Sequence, residues 1–165
     1  MIVCDAPDDP YLAVLRLSDG EEVWRKSRRG ICERGWGTPL IDADGESAQV
    51  VVNGFPWILS YDLVTGDERW RVKGGGDNPI TSAFEAHGNF YITSAHGGPA
   101  PIVVVRRDAT GNLSLYKDDK DKAEQPTDRK TNSGLVWRSE RGGSCLLYTS
   151  PSPRDLSTSR MPSSA

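Results

Sequence analysis

Short apolar runs separated by turn-forming residues make up most of the chain. Runs such as "AQVVVNG", "WILSYDL" and "NFYITSA" alternate apolar and polar positions or are apolar throughout, and glycine, proline, asparagine or aspartate stands between them. Such runs are typical of β-strands, whereas amphipathic helices need longer runs with a period of about 3.6 residues. The pattern predicts an all-β protein.

A longer period lies over this strand pattern. The segment "VLRLSDGEEVWRKS" matches "SYDLVTGDERWRVK", and the matched pairs Gly20/Gly66 and Trp24/Trp70 are both 46 residues apart. In each copy the glycine lies between two runs, where a tight hairpin requires a positive φ. Each copy is therefore predicted to be a β-hairpin with a two-residue turn, "DG" or "TG", and a buried tryptophan on its second strand.

A third copy follows with a change in spacing. It opens with "VVVRRDATGNLSL", whose "TG" pair comes 45 residues after the second one, and its tryptophan is delayed until Trp137. Burying a tryptophan side chain removes about 150–250 Å² from water, so its recurrence indicates a repeated packing contact. We expect Trp24, Trp70 and Trp137 to wedge between neighbouring units.

Two further runs precede the second and third hairpins, "TPLID" with "AQVVVNG" and "ITSAFEA" with "NFYITSA". Four strands in a unit of about 45 residues are typical of a β-propeller blade, and the alternative, a β-sandwich, does not explain the period. The sequence predicts about two and a half four-stranded antiparallel blades at residues 1–30, 37–74 and 79–144, as a fragment of a larger propeller of about seven or eight blades. The first unit contains only "MIVC" and one hairpin.

Charge and hydropathy exclude two classes of partner. The 20 Lys and Arg against 23 Asp and Glu give a net charge of −3, without a basic stripe to neutralise a nucleic-acid backbone. No apolar run approaches the roughly 20 residues that span a bilayer, and "MIVCDAPDDP" lacks the basic and apolar regions of a signal peptide. We expect neither a nucleic-acid partner nor a membrane span.

The candidate chemical groups favour structural roles. The cysteines Cys4, Cys32 and Cys145 are odd in number and widely spaced, which fits neither a zinc site nor a disulfide framework; Cys4 is interpreted as a small buried residue, and Cys32 is left unassigned. His87 and His96 each precede a glycine and are interpreted as turn residues. No catalytic, cofactor-binding or metal-binding residue is predicted.

Three loop segments also stand out in the sequence. "DADGE" at 42–46 lacks the later ligands of a calcium loop and is predicted to be a strand-connecting turn, and "GGGDNP" at 74–79 is predicted to link two blades. The insertion at 116–133 contains the charged run "KDDKDKAEQPTDRK" and is predicted to be a solvated loop, with a partner-binding loop as the alternative. "WGTP" from Trp36 is a further candidate surface.

The stretch "SYDLVTGDERW" resembles the repeat of pyrroloquinoline-quinone-like (PQQ-like) β-propellers, in the quinoprotein alcohol dehydrogenase-like superfamily. That repeat reads Ala-x-Asp-x-x-Thr-Gly-x-x-x-Trp; Ser60 replaces the alanine, while Asp62, Thr65, Gly66 and Trp70 match. The first copy keeps only the glycine and the tryptophan, with aspartate in place of the threonine. The third keeps "TG" but has an arginine at the aspartate position. The resemblance extends from about residue 2 to residue 144.

The resemblance implies a bacterial protein located in the periplasm or secreted, but it does not imply one activity. The family contains quinone-dependent dehydrogenases, which use PQQ and calcium, and propellers without a cofactor that bind or scaffold other proteins. This chain has no vicinal cysteine pair and no motif that matches a catalytic aspartate or a calcium ligand set. We expect a non-catalytic propeller segment without a cofactor. The alternative is a fragment of a dehydrogenase whose active site lies in missing blades of the same parent chain, and the ligand or protein partner is left open.

The chain changes character at about residue 145. "CLLYTSPSPRD" resembles a common sequencing adapter translated in one frame, and "SRMPSSA" resembles the end of such an adapter. Residues 145–165 are therefore predicted to be disordered and not to belong to the propeller.

Overall fold

The computed structural model describes residues 2–6, 9–73, 76, 78–94, 101–114 and 134–139. In these residues the regular structure consists of twelve β-strands and one 3₁₀ turn, Gly45–Ser47, so the all-β prediction is confirmed. The strands are β1 (Ile2–Ala6), β2 (Asp9–Leu15), β3 (Glu22–Ser27), β4 (Leu40–Asp42), β5 (Gln49–Val52), β6 (Trp57–Asp62), β7 (Glu68–Lys73), β8 (Phe84–Ala86), β9 (Asn89–Thr93), β10 (Ile102–Arg106), β11 (Gly111–Asn112) and β12 (Leu135–Ser139).

The strands form three successive antiparallel sheets. Blade 1 has the order β1-β2-β3, blade 2 the order β4-β5-β6-β7, and blade 3 the order β8-β9-β10-β12, so strands adjacent in sequence are adjacent in each sheet apart from β11. Consecutive four-stranded meanders that pack face to face are the architecture of a β-propeller. The described part of the chain is a partial β-propeller whose first blade shows three strands, as predicted. The insertion at 116–133 and the segment from 145 onward lie outside the described residues.

The three repeat tryptophans occupy the same place in their sheets. In each blade the tryptophan pairs with a residue of the neighbouring strand, and a register shift directly after that pair marks the same β-bulge. The pairs are Val14↔Trp24, Ser60↔Trp70 and Val104↔Trp137. The delayed tryptophan of the third copy thus returns to the repeat position despite the insertion before it.

Trp70 lies at the centre of the junction between blades 2 and 3. Its side chain has no exposed surface, and it belongs to the same apolar cluster as Phe90, Ile92 and Val103 of blade 3. The rings of Trp70 and Phe90 are 6.2 Å apart between centroids. The predicted wedge between blades is confirmed at this junction.

The polar edge of the Trp70 indole is satisfied through a buried amide. Its N–H donates to Oε1 of Gln49 at 3.1 Å, and Nε2 of Gln49 donates to the carbonyl of Arg107 in blade 3 at 2.9 Å. Ser60 Oγ also donates to Oε1 of Gln49 at 2.7 Å. Because a buried indole N–H needs an acceptor, the fully buried Gln49 links the tryptophan of one blade to the turn of the next.

Trp24 makes the corresponding contact between blades 1 and 2. Its indole N–H donates directly to the carbonyl of Leu63 at 3.0 Å, and its ring centroid lies 6.5 Å from that of Tyr61. A Cβ at Gly66 would come within 2.8 Å of the Trp24 ring, so the turn glycine is needed for the close approach as well as for its φ of 73°. Trp137 differs, because its side chain is half exposed.

The arginine after each tryptophan points to the opposite face of the sheet. The Arg25 guanidinium lies 4.0 Å from the centre of the Tyr11 ring, and that of Arg71 lies 5.2 Å from the Trp57 ring, so the pairs can form cation–π contacts. Both arginines also pair with the glutamate three residues earlier. Arg138 of blade 3 donates from Nη1 to a main-chain carbonyl of blade 2, the Lys73 carbonyl, at 3.1 Å.

The hairpin turns are longer than the predicted two residues. In blade 2 the Asp62 N–H donates to the Asp67 carbonyl at 2.7 Å, and the Gly66 N–H donates to the Asp62 carbonyl at 2.9 Å, so four residues separate the closing pair. The two-residue prediction is wrong because the Asp62 carboxylate accepts the N–H groups of Val64 and Thr65, both at 2.9 Å, which stabilises a longer loop. The predicted positive φ is confirmed at Gly20 and Gly66.

Aspartate replaces threonine in the first repeat without loss of the turn contact. In blade 2 the Asp67 N–H donates to Thr65 Oγ1 at 3.2 Å, and at the equivalent place in blade 1 the Glu21 N–H donates to Asp19 Oδ1 at 3.0 Å. Both side chains are short acceptors for the N–H two residues ahead, which is a common turn device. The departure from the repeat therefore keeps its physical role.

A short strand that the sequence did not predict covers the outer edge of blade 2. After leaving β10, the chain returns to pair β11 in parallel with β7, matching Gly111 with Trp70. The Leu113 N–H donates to the Arg71 carbonyl at 2.9 Å, and Ser114 Oγ accepts the Lys73 N–H at 2.8 Å. The segment leading into the charged insertion is thus anchored on the preceding blade.

Replacing Trp70 by alanine is expected to lower the free energy of unfolding by about 3–5 kcal/mol, because a buried aromatic side chain is lost from a packed junction. Urea unfolding followed by far-ultraviolet circular dichroism measures the change. Trp36, whose side chain is 60% exposed, provides the matched control, and its alanine variant is expected to lie within about 0.5 kcal/mol of the parent. Equal losses in the two variants would contradict the role of Trp70.

The Asp62 carboxylate in the β6–β7 turn is expected to make the free energy of unfolding depend on pH in the acid range. The hydrogen bonds from the Thr65 and Val64 N–H groups hold the pKa of Asp62 below its ordinary value of 3.8. The ionised carboxylate therefore stabilises the fold fully above that value, and this contribution is lost as the pH falls through the lower, folded-state pKa.

The matched variant is Asp62→Asn, which keeps an acceptor oxygen and removes the charge. We expect the stability difference between the parent and Asp62→Asn to be largest near neutral pH and to shrink below about pH 4. Urea midpoints measured across this range check the prediction, and a difference independent of pH would refute it.

Candidate functional site

Three loops meet at one end of blades 2 and 3. They are the link from β3 to β4, the loop from β5 to β6, and the link from β7 to β8. The Glu33 N–H donates to the Phe55 carbonyl at 2.7 Å, and the Phe55 N–H donates to the Arg34 carbonyl at 2.8 Å. The Trp36 N–H donates to the Pro79 carbonyl at 3.0 Å, so main-chain hydrogen bonds join all three loops.

A buried asparagine fastens these loops to the sheets. Asn53 is 3% exposed, and its Nδ2 donates to the carbonyls of Thr81 and Thr93, both at 2.9 Å. Its Oδ1 is buried and has no hydrogen-bond partner among the described residues. A buried acceptor in this state is a place where a donor from water or a ligand would be stabilised.

The approach of two loops requires a glycine. A Cβ at Gly37 would lie 2.8 Å from the Thr81 carbonyl oxygen, a distance that side chains do not tolerate against main chain. The Gly37 N–H also donates to the Pro79 carbonyl at 3.2 Å. The glycine in "WGTP" therefore fixes where Trp36 stands relative to the link between blades 2 and 3.

The surface of these loops presents apolar side chains to solvent. Trp36 is 60% exposed and Ile80 36% exposed, while Phe55 is half-buried with the Arg34 guanidinium 6.0 Å from its ring centre. We call this surface, formed by Arg34, Trp36, Phe55 and Ile80, the loop platform. The sequence singled out Trp36 but missed Phe55 and Ile80, because nothing in the chain order shows that these loops converge.

A buried cluster around Arg28 and Cys32 lies against Gly54 of the β5–β6 loop. Arg28 has no exposed surface, and Cys32 is 4% exposed with its thiol donating to the Arg34 carbonyl at 3.2 Å. Burial raises the pKa of Tyr61, and the nearby Arg28 charge opposes that rise. A Cβ at Gly54 would lie within 3 Å of both Arg28 and Cys32, so this cluster is closely packed. Cys32 therefore has a structural position, whereas the side chain of Cys4 lies outside the described part.

The opposite end of the same blades contains a polar groove of about 600 Å³ between the β4–β5 loop and blade 3. Arg107 spans it, donating to the two carboxylate oxygens of Asp42 at 2.6 and 2.7 Å and to the Asp44 carboxylate at 3.1 Å. These carboxylates raise the pKa of Arg107. The "DADGE" segment is thus the strand-connecting turn predicted from the sequence, and its first two aspartates bind an arginine of the next blade.

The other charged groups near the groove include an ion pair and a turn histidine. Arg106 and Asp108 pair with each other, which raises the pKa of Arg106 and lowers that of Asp108. His87 lies in the β8–β9 turn with a φ of 54° and an exposed side chain, whereas His96 lies outside the described residues. Of the ion pairs at the groove, Arg107 with Asp42 joins blades 2 and 3, and Arg106 with Asp108 lies within blade 3.

The described ranges contain no cluster of side chains that matches a metal site. No group of three or more histidine, cysteine, aspartate or glutamate side chains there could hold a metal ion. No helix in these ranges is long and apolar enough to cross a membrane.

Strand order and register define the class of protein as a partial β-propeller. No protein-family model matches the chain, and a search of curated proteins finds no match. A search of solved structures finds the crystal structure of BamB from Moraxella catarrhalis, at 14% identity and a TM-score of 0.47 over 86% of this chain. The match spans 35% of the BamB chain. A likeness at this level says nothing about function, and the propeller assignment stands on the strand pairing.

Breaking the ion pair across the groove is expected to cost stability. Asp42 is 8% exposed, so Arg107→Met leaves a nearly buried carboxylate without its main partner, and we expect a clear loss in the free energy of unfolding. The control is Arg106→Met, which breaks a largely exposed pair and should cost much less. A double-mutant cycle with Asp42→Asn measures the coupling, and additive effects would contradict it.

Proposed function

We propose that this chain is a non-catalytic propeller segment of a binding or scaffolding protein, and that the loop platform binds another protein. The observation that carries the proposal is a 60% exposed Trp36 held on loops joined by main-chain hydrogen bonds. Tryptophan and arginine are enriched among the residues that dominate binding energy at protein interfaces. Arg34 lies on the same surface.

The rigidity of the loop platform supports binding. Ordering flexible loops on association reduces affinity, so loops that are already fastened lose less conformational entropy. The hydrogen bonds from Asn53 to two loop and strand carbonyls, and the close approach at Gly37, provide such fastening. The unpartnered Asn53 Oδ1 offers an acceptor for a donor of the bound protein or for a bridging water.

The ion pairs of the polar groove also favour a non-catalytic role. Arg107 and Arg106 both direct their guanidinium groups to aspartates of this chain, which leaves them committed to structural contacts. A perturbed acid and base within reach of each other would favour catalysis, and the groove lacks that arrangement within the described residues. The alternative, a segment of a PQQ-dependent dehydrogenase, places its catalytic groups in other blades of the parent chain.

The parent protein is proposed to lie in the periplasm or to be secreted, following the resemblance of its repeats. Its other blades are further contacts of this segment. These two statements rest on the repeat family.

The binding role is tested by selecting peptides from a random library against the immobilised chain. Peptides that bind the loop platform should lose about 30-fold or more in affinity to the Trp36→Ala chain, since interface hot spots cost about 2 kcal/mol or more. Leu17→Ala provides the control, because Leu17 is 87% exposed in the hairpin turn of blade 1 and lies outside the loop platform. Equal binding to the parent and to Trp36→Ala would reject the loop platform as the binding surface.

The dehydrogenase alternative has its own measurement. The full-length parent, supplied with PQQ and calcium, is expected not to reduce an artificial dye acceptor. Dye reduction that requires both PQQ and calcium would favour the dehydrogenase and overturn the non-catalytic proposal.

A further inference from the structure

Most arginines of the described residues are paired with carboxylates of the same chain. Those that form an ion pair with an aspartate or a glutamate are Arg16, Arg25, Arg29, Arg69, Arg71, Arg106 and Arg107. Arg34 of the loop platform is exposed and forms no ion pair with a described carboxylate. Its charge is therefore available to a partner in a way that the charges of the paired arginines are not.

The contact between Arg34 and Phe55 does not engage the guanidinium N–H groups. The Arg34 Cζ lies 6.0 Å from the centre of the Phe55 ring, at the outer limit of a cation–π contact. Two N–H groups of a guanidinium match the two oxygens of a carboxylate, which makes this pairing stronger than an ordinary hydrogen bond. Arg34 is thus an exposed cation with the geometry to bind a carboxylate.

Glu33 precedes this cation in the chain and is also exposed. Arg34 and Phe55 form an antiparallel bridge, so the backbone is extended at this point. Consecutive side chains of an extended backbone point to opposite sides. Glu33 therefore lies away from the Arg34 guanidinium, in agreement with the absence of an ion pair between these two described residues.

Apolar side chains accompany Arg34 on the loop platform. Trp36 is 60% exposed and Ile80 is 36% exposed. They belong to different links between blades, which the hydrogen bond from the Trp36 N–H to the Pro79 carbonyl holds together at 3.0 Å. The loop platform therefore presents one cation together with an apolar surface, and a complementary ligand carries one anion together with an apolar group.

The loop platform does not lie on a face where the other blades of the parent chain pack. It is centred on blade 2, which contacts blade 1 through Trp24 and blade 3 through Trp70. Both neighbours of blade 2 are thus within this chain, and further blades pack against blades 1 and 3. The exposure of Trp36 on the loops is not the exposure of an unfinished junction between blades.

We propose that the partner of the loop platform is a protein segment in which an aspartate or glutamate lies close in sequence to a large apolar residue. The side-chain carboxylate binds the Arg34 guanidinium, and the apolar side chain packs on Trp36 and Ile80. A single arginine suits one carboxylate, whereas phosphorylated segments are recognised by clusters of arginines. The proposal rests on the proposed binding function and specifies the chemistry of its partner.

Peptides from a random library provide the probe. They are selected on the immobilised parent chain, and those that also bind the Trp36→Ala chain are removed. The retained peptides are expected to share an aspartate or glutamate near a large apolar residue. Replacing that acid by asparagine or glutamine is expected to weaken binding to the parent about tenfold or more, because a charge-assisted pair is lost from the interface. Retained peptides without a common acidic residue would overturn the proposal.

Variants of the chain test the same pair from the other side. Arg34→Gln is expected to weaken binding of the acidic peptides about tenfold or more, whereas the amide versions of these peptides should bind Arg34→Gln and the parent equally. Arg16→Gln is the matched control, because Arg16 is a half-exposed arginine in the hairpin of blade 1, outside the loop platform. Equal losses in the two variants, or a loss in Arg34→Gln that persists with the amide peptides, would refute the pairing. Circular dichroism checks the fold of each variant, and the peptide substitutions test the pair on the unchanged parent.

The remaining outcomes separate the chemistry of the partner from the binding function itself. Retained peptides that bind Arg34→Gln as tightly as the parent would leave the binding function standing and overturn the acidic partner. A selection that retains no peptide would overturn both. All peptides are also tested with an amidated C-terminus, and binding lost on amidation would assign the anion to a chain end, against the side-chain carboxylate proposed.

Discussion

The tryptophans of β3 and β7 make the contacts on which the arrangement of the sheets depends. An indole is large enough to fill the space between two sheets, and its N–H must find an acceptor when the ring is buried. Trp24 finds it directly in the Leu63 carbonyl, and Trp70 finds it in Gln49, which in turn reaches the Arg107 carbonyl. In both cases the acceptor, direct or relayed, lies in the hairpin turn of the next blade, so the turn and the tryptophan must keep their spacing together.

That dependence explains which features the sequence could predict. The turn glycines and the tryptophans recur because every blade needs them, and a fixed period exposes them in one sequence. The contacts that distinguish one junction from another do not recur. Arg107 meets Asp42 across 65 positions of the chain, and its own position in the repeat is that of an aspartate in blade 2. The loop platform was missed for a similar reason, since Ile80 and Phe55 approach Trp36 only after two blades have packed.

The two ends of the blades have different physical characters. At the hairpin end, aspartates and arginines satisfy one another and fasten adjacent blades, so the surface that remains there is mostly electrically balanced. At the other end, main-chain hydrogen bonds and the side chains of Asn53, Cys32 and Thr81 join the loops, and the apolar rings that do not enter the core face water. An exposed tryptophan on a rigid support has little structural benefit, which is why this end is the better candidate for recognition.

The parallel pairing of β11 with β7 connects the completion of one blade to chain that is synthesised much later. The edge of β7 is sealed only when the segment from Gly111 to Ser114 reaches it, some forty positions after β7 itself ends. During synthesis, which proceeds from the N-terminus, that edge stays open while blade 3 is still being made. An open strand edge pairs readily with other chains. The order in which the ribosome delivers these segments therefore creates an interval in which blade 2 is formed but unprotected.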